Sequence, residues 1–442
     1  MDITGKHLTA LGYKPDAWFK TALEEINAQG VTSNEAIRAI CDALLPVYMP
    51  LTESPVTVYS TETGRNFDAS YASLLEMAKT PTIRAAYLMP DACPAGVQGT
   101  ITVGGVARAN GAIHPGMHSA DICCSMMVTR FGAADPRDVL DTIHEATHFG
   151  YGGRKDGRFS LPDDLRRAMA DNPFLSDPRI LDAAHYHLGT QGDGNHFAYV
   201  GVSEKTGEAA LVTHHGSRKP GALLYKAGMK VAEDFRRKLS SDTLKQNAWI
   251  PFDSPQGQDY WNALQIIRAW TKHNHTVLHQ VLVDRFGCSD RLWNEHNFVF
   301  RDGDDFWHAK GATPMNPKFM PDSDGLMAIP MNMGQPVLIV SRAGCDFAPH
   351  GAGRMVSRTA HLQALDMTLE QAVRAETEGL DVRFYCGEAD ASELPSAYKD
   401  AARVQADMQQ FNLAAVQDRI MPYGCIMAGD VEKNAPWRRK KV

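Results

Sequence analysis

The chain has 442 residues, 44% of them hydrophobic and 22% charged, so it can bury a large core without disulfide staples. A formal net charge of −7 excludes the globally basic surface that grips long nucleic acid through its phosphates, and any nucleic-acid contact is expected to be a local patch. Eight cysteines are too sparse for a disulfide scaffold and read as thiols, some with metal or catalytic roles.

The opening MDITGKHLTALG has no apolar signal-peptide core, and no apolar run reaches the roughly 18 residues of a membrane span; the expectation is a cytoplasmic protein without a membrane anchor. Residues 16–45 read as a helical hairpin. Asp16 can cap the run AWFKTALEEI, Gly30 can end it, and Ser33 can cap NEAIRAICDALL. From about 55 to 135 the texture changes to short β-rich runs, VTVYS, AAYLM, TITVGGVA and SMMVTRF, separated by Gly/Pro-rich loops. Helices are expected near 136–148 and 162–170, over about 258–285, after the capping-box pair Thr368 and Gln371, and over about 396–417. No repeat or low-complexity segment occurs, and no linker divides the chain after residue 55. These elements describe one large α+β domain over residues 56–430. A helical N-terminal extension (1–55) precedes it, and a basic tail (431–442) containing Arg438-Arg439-Lys440-Lys441 follows.

Histidines and cysteines concentrate in five short, loop-like segments. GAIHPGMHSADICC carries Asp121, Cys123 and Cys124. LGTQGDGNHF carries Asn195 and His196. LVTHHGSR carries His214, His215 and Arg218, NEHNF carries His296, and APHGAGRMVSR carries His350, Gly351, Ala352, Gly353, Arg354 and Arg358. A lone loop histidine is ordinarily a surface residue, but recurrence after short apolar runs is what strand ends carrying a site look like. Asp121, Cys124, His196, His214 and His296 together offer one carboxylate, one thiolate and three imidazoles. That is enough for two adjacent divalent ions sharing the thiolate. Thiolate and imidazole favour zinc over manganese on donor chemistry alone. HGAGR can form an anion nest of successive backbone N–H groups with an arginine fork beside it, and a histidine there can attack a bound phosphate; a glycine hinge with a solvent-facing histidine is the alternative.

Other patterns carry less. His275 and His279 have HxxxH spacing, but Thr276 stands where a zincin needs glutamate, so a polar helix face is expected. No P-loop, Rossmann glycine pattern or nucleophile elbow is present, and Cys123-Cys124 lacks the spacing of a redox pair.

Taken in order, MPDA (89–92), GGV (104–106), Asp121-Ile-Cys-Cys124, LGTQGDGNHF, HHGSR, HN (296–297), HAKGAT (308–313), GQPVLI (334–339), HGAGRMVSR (350–358), SAYKD (396–400) and the late PYG resemble the RtcB family of RNA-splicing ligases. The resemblance spans about 80–427. It implies central mixed or antiparallel sheets surrounded by helices, and a site of two manganese ions. Asp121, Cys124, His196, His214 and His296 match the family's metal ligands, with Cys124 as the bridging thiolate. Asn195 matches a residue near the nucleotide phosphates, joined there by the nest Gly351, Ala352, Gly353 and Arg354. His350 matches the histidine that GTP guanylylates. The implied substrates are RNA ends, a 3′-phosphate or 2′,3′-cyclic phosphate and a 5′-hydroxyl. The alternatives are capping of nucleic-acid 3′-phosphates, or cyclic-phosphate hydrolysis without ligation. A neutral His350 is needed as nucleophile, so activity is expected to fall in acid.

The sequence also departs from the family pattern. Cys93 stands for a histidine, Tyr199 for the glutamate after NHF, His215 for Ser or Thr, and Ala309 for the arginine of HRKGAT. VSRAG (340–344) replaces a PGSMG-like segment, and Met427-Ala428 lie where the family has a guanine-contacting lysine. The departures fall on the nucleotide and RNA side, whereas the metal set and the histidine are complete.

Overall fold

In a computed structural model, residues 2–16, 18–45, 48–150 and 152–430 are described; the basic run 438–441 lies outside them. The N-terminal segment forms three helices, Gly5–Ala10, Trp18–Ala28 and Asn34–Leu44. The first is additional to the expected hairpin. Ser33 caps the third, its hydroxyl accepting from the Ala36 N–H at 3.3 Å. Leu8, Phe19, Ala22, Ile26, Ile37 and Cys41 bury one face of each helix in a small core of their own.

Two large sheets, with two small two-stranded ones among the described residues, carry the strands of the rest of the chain. The first holds five strands: Val56–Val58, Ile83–Cys93, Val103–Asn110, Asp305–Lys310 and Asn297–Asp302. Its first pair is parallel and the others antiparallel. The second holds eight strands among the described residues. Along its main path lie Leu326–Ile329, Val337–Arg342, Ala414–Met427, Phe197–Ser203, Ala209–His215, Ser125–Arg130 and Asp290–Glu295, with Asp381–Phe384 added in parallel beside Ala414–Met427. Helices surround the sheets, so the expected α+β architecture with mixed and antiparallel sheets holds.

Two expectations are corrected. The helix expected over 396–417 stops early: Ala401–Gln410 is helical, and Asn412 adopts a left-handed φ of 55°. Asparagine tolerates that conformation better than most residues, and it ends the helix. The chain then enters the 14-residue strand Ala414–Met427, whose register shifts between Pro422 and Gly424, where proline has no N–H for the ladder.

The second correction concerns His275 and His279. They sit on the 32-residue helix Pro255–Phe286, capped by Ser254, and the polar face expected there is fully buried at both histidines. The helix lies against the second sheet, and the strands supply hydroxyl partners. Thr213 Oγ1 meets His275 Nδ1 at 2.6 Å and His279 Nε2 at 2.8 Å. Ser125 and Thr129 take the remaining ring nitrogens, so these histidines are satisfied core polar groups.

Candidate active site

Antiparallel pairing brings four of the five segments to one edge of the second sheet. His214 pairs with Met126 on one side and Phe197 on the other, while Ser125 pairs with Glu295. Cys124 precedes the first of these strands, His196 precedes the next, and His296 follows Glu295. Two backbone bonds fix the approach: the Cys123 N–H donates to Asn297 O at 2.7 Å, and the His296 N–H to Cys124 O at 2.9 Å. Gly216 makes room for Asp121, because a Cβ there would stand 2.1 Å from its Oδ1.

Cys124 Sγ lies 3.1 Å from His214 Nε2 and 3.6 Å from His196 Nε2. His214 Nε2 is 3.1 Å from His296 Nε2, and His196 Nε2 is 3.2 Å from Asp121 Oδ2. Two triads result, Cys124-His214-His296 and Asp121-Cys124-His196, with Cys124 common to both. His214 Nδ1 faces the Asn195 carbonyl at 3.1 Å. A carbonyl only accepts, so Nδ1 carries the proton and Nε2 turns its lone pair inward. The facing nitrogens of His214 and His296 and the convergence on one sulfur fit divalent cations. The donor set therefore suits two ions bridged by the thiolate.

Electrostatics agree. Burial holds His214 and His296 well below the usual imidazole range, reinforced by His196 and His350 beside His214 and by His350 and His214 beside His296, so both are neutral near pH 7. Burial alone would raise Asp121, but His196, Cys124 and Arg218 bring it to about 2. Burial, followed by the Asp121 charge, pushes the Cys124 thiol well above 9; a cation must displace that proton.

His350 follows the short strand Phe347–Pro349. Its ring centroid is 4.8 Å from that of His296. Nδ1 and the backbone N–H of His350 both reach Asp91 Oδ2, at 2.5 and 3.1 Å. Asp91 is fully buried, at the end of the long strand Ile83–Cys93. Among the described residues His350 Nε2 has no hydrogen-bond partner, and neither have the backbone N–H groups of Gly351, Ala352 and Gly353. Gly353 has φ 75°, and a Cβ on it would come within 2.1 Å of Asp91 O. The glycine is thus needed both for the turn and for its approach to the Asp91 strand.

A cleft of about 370 Å³ unites these groups, within the range of small-molecule sites. Asp121, Cys124, Asn195, His214, His296, Lys310 and the segment His350–Arg354 line it; His196 stands behind. Arg354 and Arg358 both pair with the buried Glu393, at 3.3 and 2.7 Å, and Tyr398 donates its hydroxyl to the same carboxylate. Lys310 donates to Ile101 O at 3.2 Å, and burial lowers its amine to about 8, Cys93 partly offsetting the shift.

All the expected site residues therefore converge, His196 from behind the wall. Asp91, Lys310, Glu393 and Tyr398 join them without having been singled out, although MPDA, HAKGAT and SAYKD marked the neighbourhoods of all four.

The sequence profile of the RtcB family, described as tRNA-splicing ligase RtcB, matches residues 164–428. The chain belongs to the RtcB family. It is 24% identical over 468 residues to a tRNA-splicing ligase RtcB of Aeropyrum pernix, covering 85% of this chain and 95% of that protein. It is 27% identical over 430 residues to an RNA-splicing ligase RtcB of Mycobacterium tuberculosis, covering 78% and 97%. A tRNA-splicing ligase RtcB of Pyrobaculum aerophilum is 24% identical over 483 residues, covering 86% and 96%. Within this RtcB-family chain, the departures Cys93, Tyr199 and Met427 all line the cleft. Among the described residues, no helix is long and apolar enough to cross a membrane.

Proposed function

We propose that this RtcB-family chain is an RNA ligase that joins 3′-phosphate or 2′,3′-cyclic phosphate ends to 5′-hydroxyl ends through a nucleotidyl group carried on His350, with GTP as donor. The observation that carries the reading is the pairing of His350 with Asp91 at the head of a cleft whose facing wall is the Asp121/Cys124/His196/His214/His296 cluster. The Asp91 carboxylate keeps the Nδ1 proton on the ring and directs the Nε2 lone pair into the cleft.

In the first step Nε2 attacks the α-phosphorus of the triphosphate. A P–N bond forms, the α–β P–O bond breaks, and pyrophosphate leaves. The RNA 3′-phosphate oxygen next attacks the same phosphorus and breaks the P–N bond. The 5′-hydroxyl then attacks the activated 3′-phosphorus, loses its proton and expels the nucleoside monophosphate. A cyclic phosphate end is opened by water beforehand.

The nest Gly351–Gly353, with Lys310, Asn195 and Arg354, orients the phosphates for in-line attack. Asp121, Cys124, His196, His214 and His296 would hold two divalent ions, manganese by family resemblance and zinc by donor softness. When bound, these ions supply charge neutralisation at phosphate oxygens. Residues 56–430 are taken as the catalytic domain, 1–55 as an extension and 431–442 as a tail.

The test is a covalent adduct. Protein incubated with manganese and α-labelled GTP should retain label that is stable to denaturation, and His350→Ala should abolish it. Unlabelled protein under all nucleotides would reject the reading. An adduct without joining of 3′-phosphate and 5′-hydroxyl RNA would leave capping of 3′-phosphates as the activity.

A further inference from the structure

The cleft has two chemically different ends. Cations and N–H donors gather around His350: Lys310, Arg354, the Gly351–Gly353 amides and the metal-type cluster. The lining also includes Phe197, Tyr199, Met333, Val337 and Met427, which pack together in one apolar cluster, and Met331; these form the apolar end. If the triphosphate lies at the ionic end, as the proposed function requires, the base must lie at the apolar end.

Among the described residues, the apolar end holds no ionised side chain that could read a base. Tyr199 is 2% exposed, and its hydroxyl donates to Ile420 O at 2.7 Å, so its proton is committed to the backbone. Cys425, beside them, is buried; burial and the nearby Asp381 charge push its thiol up to about 12, which keeps it neutral. The two arginines of the lining, Arg354 and Arg358, both pair with Glu393. Asn332 contributes a single neutral amide, whose carbonyl accepts from the Gly334 N–H at 3.0 Å. Its N–H groups can serve N7, an acceptor that both purines present. Adenine and guanine share one bicyclic frame and differ only at polar edge groups. An apolar pocket discriminates weakly between ligands of one shape, whereas strong rejection needs a polar partner left unpaired by the wrong ligand. The three methionines adapt their shape readily to either ring.

We propose that this cleft accepts purine nucleoside triphosphates without distinguishing guanine from adenine, so that ATP as well as GTP delivers a nucleotidyl group to His350. The inference rests on the proposed function for the location of the phosphates.

Two measurements on the full-length, manganese-loaded protein test it. Initial rates of adduct formation are compared for α-labelled GTP and ATP. Separately, calorimetry compares binding of the α,β-methylene analogues of GTP and ATP, which cannot transfer. Rates and affinities within tenfold of each other for the two bases are expected. A preference beyond tenfold for either base overturns the inference while leaving the His350 reading intact. An adduct with neither nucleotide rejects the His350 reading, and analogue binding alone then decides base selection by the same tenfold limit. Met333→Trp, with folding checked by circular dichroism, should weaken both analogues more than tenfold by filling the apolar end. Unchanged binding by a folded variant would overturn the placement of the base. The wild-type comparison stands whether or not that variant folds.

Discussion

One oxygen of Asp91 holds His350 at two points, accepting from ring Nδ1 at 2.5 Å and from the backbone N–H of the same residue at 3.1 Å. The double tie fixes both the ring plane and the tautomer. Asp91→Asn removes the charge while keeping the size, and its amide can present a donor to Nδ1. That would stabilise the tautomer with the proton on Nε2, which cannot attack. Nucleotidyl transfer is expected to fall by roughly 10² or more, with nucleotide affinity changed by less than tenfold. Single-turnover adduct formation beside calorimetric binding separates the two. An equal loss of both would make Asp91 a scaffold for the pocket and not for the nucleophile.

Metal loading should release a proton. Burial and Asp121 keep the Cys124 thiol protonated at pH 7, while His214 and His296 are already neutral. A bridging cation needs the thiolate, so about one proton should leave per pair of ions bound, and apparent affinity should rise with pH through the neutral range. Titrating manganese or zinc into stripped protein, in two buffers of different ionisation enthalpy, counts the protons. Cys124→Ala should release none and should bind fewer ions by elemental analysis. Unchanged metal content in that variant would remove Cys124 from the site.

The sequence made the candidate metal cluster legible because metal chemistry restricts residue types and because its members lie at or near the ends of short apolar strands. It hid Glu393, which acts on arginines 35 and 39 residues earlier in the chain; no local pattern reports a pairing of that kind. The strand Ala414–Met427 was misread at its start because Ala-rich FNLAAVQ continues a helical pattern, and the reversal at Asn412 has no glycine or proline to announce it. His275 and His279 read only as a polar helix face because the threonine and serine hydroxyls that satisfy them in the core come from strands about 60 to 150 residues away in the chain.

Glu393 is expected to act as a positioning residue. Its carboxylate joins Arg354, Arg358 and the Tyr398 hydroxyl, holding both forks at the cleft wall. Glu393→Gln keeps the shape but loses the buried charge that holds two guanidinium groups. The KM for the RNA 3′-phosphate end should rise on the order of tenfold, one lost charge-assisted contact, with a smaller change in kcat. Glu393→Asp should recover part of the loss. A fall in kcat alone would place Glu393 in the chemical steps instead.

The N-terminal helices have a core of their own, Leu8 to Cys41. Among the described residues, Tyr48 donates to Asp16 at 2.6 Å, and Met49, beyond the helices, bonds with Leu239 and Ser240 at 2.7 and 2.8 Å. Protein lacking residues 1–45 should therefore keep adduct formation, with Tm shifted by no more than about 3 °C. Aggregation or loss of the adduct would show that the extension is part of the catalytic fold.

Lys310 offers the last contrast, between stability and function. Burial lowers its amine from 10.5 to about 8, so it is still a cation at pH 7, and the folded chain bears the cost of that buried charge. Between about pH 8 and 10.5 the unfolded chain retains a proton that the folded chain has shed, and stability from this residue rises with pH across that window. Lys310→Met removes the charged form. At pH 7 the variant should be more stable by ~1–3 kcal/mol, and the gap should close by about pH 10.5. The same change removes a cation from the cleft that His350 lines, so on the proposed function adduct formation should fall on the order of 10². Urea unfolding at pH 7 and pH 10, run beside the adduct assay, checks both halves. A variant less stable at pH 7 would mean that the hydrogen bond to Ile101 O outweighs the cost of burying the charge.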